Sequence, residues 1–376
     1  MRRIVFLILA AVSYFICELG YAQSSVRFEK HAIVLPQGQL FGAVINPTST
    51  IVISQQSFVT ARHDNIDIWA TRLAKVSVDT GYIIRSRIMK QDLKDRPYPP
   101  CGQMQFIDTG KVVAICSGDN SIDLIDANNL TTVRSIPIEG PGPFGDFEIV
   151  ENEDLLFVVC QRHGNEIWLD RYKLSSGTKI DSLLLSANGI GPFHLAVDSQ
   201  RQLAFISMKP KGTRSDEDAL GVCHYGFNRP CRHIRGIPPI AKMEMWNEHL
   251  VAVTSRFADS KRECILSFQS NTMESRYCAP KSGVHYAISV VSRKYLVGYT
   301  GMAKYTWNEK IVTKSSTISI WTEHGRNPIG QTDFPMTDPV FQNAITMVGS
   351  SETPAFIAYK IAGNVIEVYK IRTFND

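Results

Sequence analysis

The feature that most constrains this chain is a unit it repeats. A short apolar stretch opened by Gly-Pro-Phe, a turn of Gly or Asn, and further β-type runs recur, clearest from Gly142-Pro143-Phe144 and from Gly191-Pro192-Phe193. These two openings lie about fifty residues apart, and a period of roughly 40 to 60 residues with four strands per unit is that of radially stacked sheets. One such unit cannot bury both its faces alone, so each copy needs a neighbour on either side. The pattern predicts an all-β fold, a seven-bladed β-propeller of four-stranded antiparallel blades. Six blades with an irregular first segment, or eight with the first blade split, are the competing counts.

Two copies show the plan best. Met104 to Ile107, Lys111 to Cys116, Ser121 to Asp126 and Thr132 to Ile138 are separated by Asp-Thr-Gly, Gly-Asp-Asn and Asn-Asn, residues that tolerate the positive φ of tight hairpins. In the next copy, Ile167, Leu169 and Arg171 alternate with Trp168, Asp170 and Tyr172, the period-2 pattern of a strand packed on both faces. The polar stretch Gln55 to Asp64 reads as a loop, and Lys209 to Asp218 and Gly301 to Ser315 read as insertions. The chain ends carry the closure argument. The last copy supplies only three strands, Phe341 to Val348, Ala355 to Tyr359 and Val365 to Ile371, while Val26 to Leu35 is a β-like run with no copy of its own. Pairing that run beside Val365 to Ile371 completes the last blade and removes an exposed edge.

Residues 1–22 stand apart: Arg2 and Arg3 lead into the apolar run Ile4 to Cys17, and Gly20-Tyr21-Ala22 supplies small residues at a cleavage point. The run is short for a membrane span, and bulky Tyr14-Phe15-Ile16 ahead of Cys17 does not suit lipidation. The expectation is a signal peptide over 1–22, a single propeller domain over 23–376, and a periplasmic or secreted protein with no membrane span after cleavage. Removing Arg2, Arg3 and Glu18 turns 40 basic and 36 acidic residues into 38 and 35, a net charge of +3. With no basic run, this gives no electrostatic case for nucleic acid. A monomer is expected.

Export favours cysteine pairing. Cys223 and Cys231 flank Gly226-Phe227-Asn228, Cys264 and Cys278 flank Gln269-Ser270-Asn271, and Cys101 and Cys116 flank Asp108-Thr109-Gly110, so each pair would tie adjacent strands. Cys160, inside Leu155 to Val159 and its continuation, is left as a buried thiol. No cysteine or histidine spacing proposes a metal, and no cofactor is expected. Gly-x-Ser-x-Gly, a phosphate-cradling Gly-rich loop with Lys, His-Glu-x-x-His, an EF-hand loop and a haem-attachment Cys-x-x-Cys-His are absent from the sequence.

In a propeller the first strand of each blade lines the central channel, so residues at one offset from each opening form a ring. That offset selects Gln103, Asp146, His194, His285 and Gln342 or its neighbour Asn343 as candidate ligand-binding residues. The alternative use of such residues is hydrogen bonding to neighbouring blades. His63 and His163 are further histidines in polar stretches, and Trp69, Trp168, Trp246, Trp307 and Trp321 fall mostly on strand-like runs suited to packing between blades.

The stretch Gly189-Ile190-Gly191-Pro192-Phe193-His194-Leu195-Ala196-Val197-Asp198 resembles the Gly-x-Gly-Pro-Arg-His opening strand of the lactonase-like and YVTN-repeat seven-bladed propellers, with Phe193 in place of the arginine. The resemblance implies the fold and, in some members, hydrolysis of a lactone. His194 would then be the candidate catalytic base, with Asp146 or His285 assisting and Arg62, Arg162 or Lys209 supplying the missing cation. The leading expectation is a non-enzymatic exported scaffold that binds a small molecule or protein at the channel mouth. The alternative is a lactonase-like hydrolase or lyase there.

Overall fold

The computed structural model describes residues 26–373 apart from short stretches, the longest being 94–102, 211–217, 255–263 and 335–344. Strand β1 spans Val26–Val34. The first sheet contains β2 (Gln39–Ile45), β3 (Ile51–His63), β4 (Ile66–Ser77) and β5 (Ile83–Leu93). The second contains β6 (Met104–Ile107), β7 (Val112–Ser117), β8 (Ser121–Asp126) and β9 (Thr132–Pro137). The third contains β10 (Phe144–Val150), β11 (Leu155–Arg162), β12 (Glu166–Lys173) and β13 (Lys179–Ser186). The fourth contains β14 (Gly189–Asp198), β15 (Leu203–Pro210), β16 (Asp218–His224) and β17 (Arg232–Ile237). The fifth contains β18 (Ile240–Trp246), β19 (His249–Thr254), β20 (Cys264–Gln269) and β21 (Thr272–Cys278). The sixth contains β22 (Gly283–Val291), β23 (Tyr295–Thr306), β24 (Glu309–Thr322) and β25 (Gly330–Asp333). The last contains β26 (Ile345–Gly349), β27 (Ala355–Lys360) and β28 (Val365–Thr373), with β1 paired antiparallel to β28 from Val26↔Thr373 to Val34↔Val365.

All the pairings are antiparallel, and within several sheets the connection is a short turn built on residues that accept left-handed backbone. Asp154 (φ 58) turns β10 into β11, and Gly177 (φ 72) turns β12 into β13. Strand alternation sends side chains to both faces of each sheet, and the apolar ones meet those of the adjacent sheet. Phe147 and Ile149 pack with Cys116, Ile122 and Ile136 between the second and third sheets. Leu195 and Ile206 pack with Phe157 and Leu169 between the third and fourth. The seventh sheet packs on the sixth through Met347 and Tyr369 against Tyr299 and Ile318, and on the first through Ile33 and Val368 against Val52 and Val76. Full burial of a ring such as Phe147 or Phe157 contributes about 1.5–3 kcal/mol each.

Two sequence expectations need correction. Gln55 to His63 is not a loop: β3 runs to His63 and pairs with β4 as far as His63↔Ile66. Gly301 to Ser315 is likewise the far part of a β23–β24 ribbon, paired out to Thr306↔Glu309. Polar and small residues suggested loops, but cross-strand pairing keeps both ribbons extended beyond the strands on either side. In the Lys209 to Asp218 segment, Lys209 and Pro210 end β15 and Asp218 opens β16, with 211–217 outside the described residues.

Candidate functional site: the inner strands of the sheets

Five of the first strands share an irregularity near their start. The register shifts between Leu40 and Gly42 in β2, Phe144 and Asp146 in β10, Ile190 and His194 in β14, Ile240 and Lys242 in β18, and His285 and Ala287 in β22. A bulge re-aims the side chain that follows it. The positions just past the shift are therefore Gly42, Asp146, His194, Lys242 and Ala287. His285 precedes its shift, so Ala287 rather than His285 is the counterpart of His194, and counting from the opening residues misaligned the two.

These inner-strand side chains reach the backbone of the next sheet in two layers. In the first layer Phe147 N donates to Gln103 Oε1 at 3.0 Å, and Leu195 N donates to Asp146 Oδ2 at 2.9 Å. His194 hydrogen-bonds the Ile240 backbone of the fifth sheet. In the second layer Ile149 N donates to Gln105 Oε1 at 3.2 Å, Val290 N to Glu244 Oε2 at 2.6 Å, and Gly349 N to Ser289 Oγ at 2.8 Å. Each contact ties one sheet to its successor. Tyr359 OH continues the series from the seventh sheet, accepting Ala43 N of the first at 3.1 Å.

The electrostatics follow from burial. Desolvation pushes the Asp146 carboxyl up to about 7 against the pull of its two backbone donors, and pushes Glu148 up to about 8, helped by the charges of Asp146 and Glu244. His194 is pushed down to about 4, chiefly by burial and then by Lys242. Lys242 Nζ lies 2.6 Å from Glu244 Oε1 and donates to Met347 O at 3.0 Å, joining the fifth sheet to the seventh. Lys242 is thus paired with Glu244, with the carboxyls of Asp146 and Glu148 within its field. Among the described residues no three His, Cys, Asp or Glu side chains are grouped to hold a metal ion.

Of the five candidates, the structure brings Gln103, Asp146 and His194 into one blade-to-blade series. His285 lies opposite Thr300 on β22, and Gln342 lies outside the described residues, as do Asn343 and His163. Sequence reasoning missed Glu148, Lys242 and Glu244. Their signal was available as Asp146-x-Glu148 and Lys242-x-Glu244, two-residue steps along an inner strand whose intervening Phe147 and Met243 are buried.

Cys223 and Cys231 form a disulfide. Cys116 is disulfide-bonded, its expected partner Cys101 lying outside the described residues, and Cys264 stands directly opposite Cys278 in the β20–β21 register. Cys160 is a free, buried thiol, pushed up to about 12 by burial and the adjoining Asp170. Asp170 is fully buried in the third sheet, where Arg162 Nη2 contacts both its oxygens at 2.6 Å and Lys179 Nζ lies at 3.2 Å. Arg162 also stacks over Trp168. That engagement takes Arg162 away from any role as an oxyanion cation, and Arg62 is paired with Asp67 at 2.7 Å.

The order of the four-stranded sheets and the packing of each on its successor define this chain as an all-β propeller of four-stranded antiparallel blades. No protein-family model matches it, and neither does any curated protein. Among solved structures it is similar to the Cps50 (Swd1) β-propeller domain of Myceliophteria thermophila, with a TM-score of 0.58 and 9% identity over 91% of this chain and 99% of that one. At that identity the likeness shows the fold. Among the described residues no helix is long and apolar enough to cross a membrane.

Proposed function

We propose that this chain is an exported seven-bladed propeller, its ring shut by β1, that works as a binding scaffold for another protein. The observation that carries this reading is the engagement of Gln103, Asp146, Glu244 and Ser289 with the backbone of the next sheet. Side chains used in this way hold the ring together. The export part rests on the composition of residues 1–22 and is supported by the Cys223–Cys231 disulfide, which suits an oxidising compartment.

The lactonase-like alternative fares worse on chemistry. A general base works best with a pKa near the working pH, whereas His194 is pushed down to about 4. The cation expected beside it is replaced by Phe193, and Arg62 and Arg162 are already paired. Purified protein beginning at Gln23 is to be assayed against a panel of lactones beside His194→Ala, and photo-crosslinking residues are to be placed at the exposed Ile66 and Val133 in cells that export the chain. The reading expects no turnover above buffer and a discrete cross-linked adduct. Turnover abolished by His194→Ala overturns it.

A further inference from the structure

The outer strands of the first three sheets repeat a second irregularity. Lys75 pairs with Arg85 but Val76 with Ile83, so Ile84 is the extra residue of a bulge in β5. In β9 the same shift leaves Val133 extra, and in β13 it leaves Ile180 extra. All three bulge residues are apolar, and all three face solvent: Ile84 is 55% exposed, Val133 62% and Ile180 46%. A bulge residue has no ladder partner to cover it.

Around the first two of these, three arginines are bonded to backbone carbonyls. Arg85 Nη1 donates to Asn129 O at 3.2 Å, Arg87 Nη1 to Leu130 O at 2.7 Å, and Arg134 Nη1 to Leu174 O at 3.2 Å. Each bond fixes a guanidinium on the rim through a neutral carbonyl, and among the described residues no carboxylate pairs with any of the three. At Ile180 the cation differs, because Lys179 is neutralised by Glu139 and Asp170. Tyr82, at 77% exposure, stands just ahead of β5, and Ile88, at 46%, is a further exposed apolar residue on that strand. Exposed tyrosine and aliphatic side chains set among arginines make the composition of a protein-binding patch.

We propose that the outer edges of the first two sheets, from Tyr82 ahead of β5 to Arg87 on it and across Val133-Arg134 on β9, dock an acidic, apolar-bearing segment of a partner protein. The apolar side chains of that segment cover Ile84 and Val133, and its carboxylates meet the fixed guanidiniums of Arg85, Arg87 and Arg134. Planar guanidiniums held in place favour carboxylates, which they bind in a two-pronged manner. The strand edges lie at the outer circumference of the sheets, which favours a segment that follows them over a flat bilayer. This assignment rests on the scaffold reading and locates the partner on the rim instead of the channel mouth.

The test uses three probes: a nine-residue peptide alternating Glu and Val, its counterpart alternating Lys and Val, and phosphatidylglycerol vesicles. The expected result is at least tenfold tighter binding of the Glu peptide than of the Lys peptide, reversed in the R85E/R87E/R134E variant. Ile84→Asp with Val133→Asp, which leaves the arginine bonds intact, should weaken the Glu peptide tenfold or more. If the triple variant fails to show the wild-type thermal transition, R85E alone carries the charge arm with a loss of at least threefold. Equal binding of the two peptides, indifference to these substitutions, stronger capture by the vesicles, or self-association that the variants abolish would each overturn the proposal. Any of these with the lactone panel silent leaves the scaffold reading standing, whereas His194-dependent turnover removes that reading whatever the peptides do.

Discussion

Asp146 and Glu148 lie two residues apart on β10 and have different partners. Asp146 accepts Leu195 N across the sheet boundary, so Asp146→Ala leaves that donor unpaired; the expected cost is about 1–3 kcal/mol, read as a lower urea midpoint with an unchanged m-value. Both carboxyls hold their protons in the folded protein to about pH 7 and 8 but lose them near ordinary carboxylate values when unfolded. Between those limits the folded state binds more protons, so stability falls as pH rises. His194 acts in the opposite sense, its contribution growing from about pH 4 and complete by about 6.5, the ordinary histidine value. From pH 6.5 to 8 only the carboxyl effect remains. The melting temperature should therefore fall across that interval, and Glu148→Gln should flatten its upper part. A melting temperature that climbs from pH 6.5 to 8 would contradict the assignment.

At the scale of elements, the β3–β4 ribbon projects past its sheet. Beyond Ser57, β3 pairs only with β4, because β2 reaches no further than Gln39↔Ser57. Replacing residues 60–68, which lie beyond both β2 and the Trp69↔Leu93 pair with β5, by Asn-Gly should thus cost about 1 kcal/mol or less by denaturant titration; a loss of several would show that the ribbon is part of the core. Much of the strand pattern was legible beforehand: Met104 to Ile107 and Ser121 to Asp126 coincide with β6 and β8 because apolar alternation and Asp, Asn and Gly turns fix both ends. The ribbons were not legible, since residues such as Gln55, Ser57 and Thr60 carry no apolar alternation and are held by pairing partners a sequence does not name. Inner-strand positions were legible in part, because a bulge near the start of an inner strand displaces every later offset: Asp146, His194 and Lys242 all follow their bulges, whereas His285 precedes its own.

For the whole molecule, the account rests on the pairing of the two ends of the chain. Ile33 and Leu35 are buried against the first sheet, and Phe28 packs edge-on to Phe356 and Tyr369, so β1 belongs to the cores on both sides of the last blade. Within this architecture each sheet is held by its neighbours through apolar clusters and inner-strand hydrogen bonds, and the terminal strand is the part most easily lost if that description is wrong. Native-state hydrogen exchange, read peptide by peptide with mass spectrometry across Val26–Val34 and Val365–Thr373, tests the point directly. The account predicts that amides of β1 exchange together with those of β28 and only through global unfolding. Exchange of β1 at the rate of a frayed terminus, with β28 still protected, would contradict it.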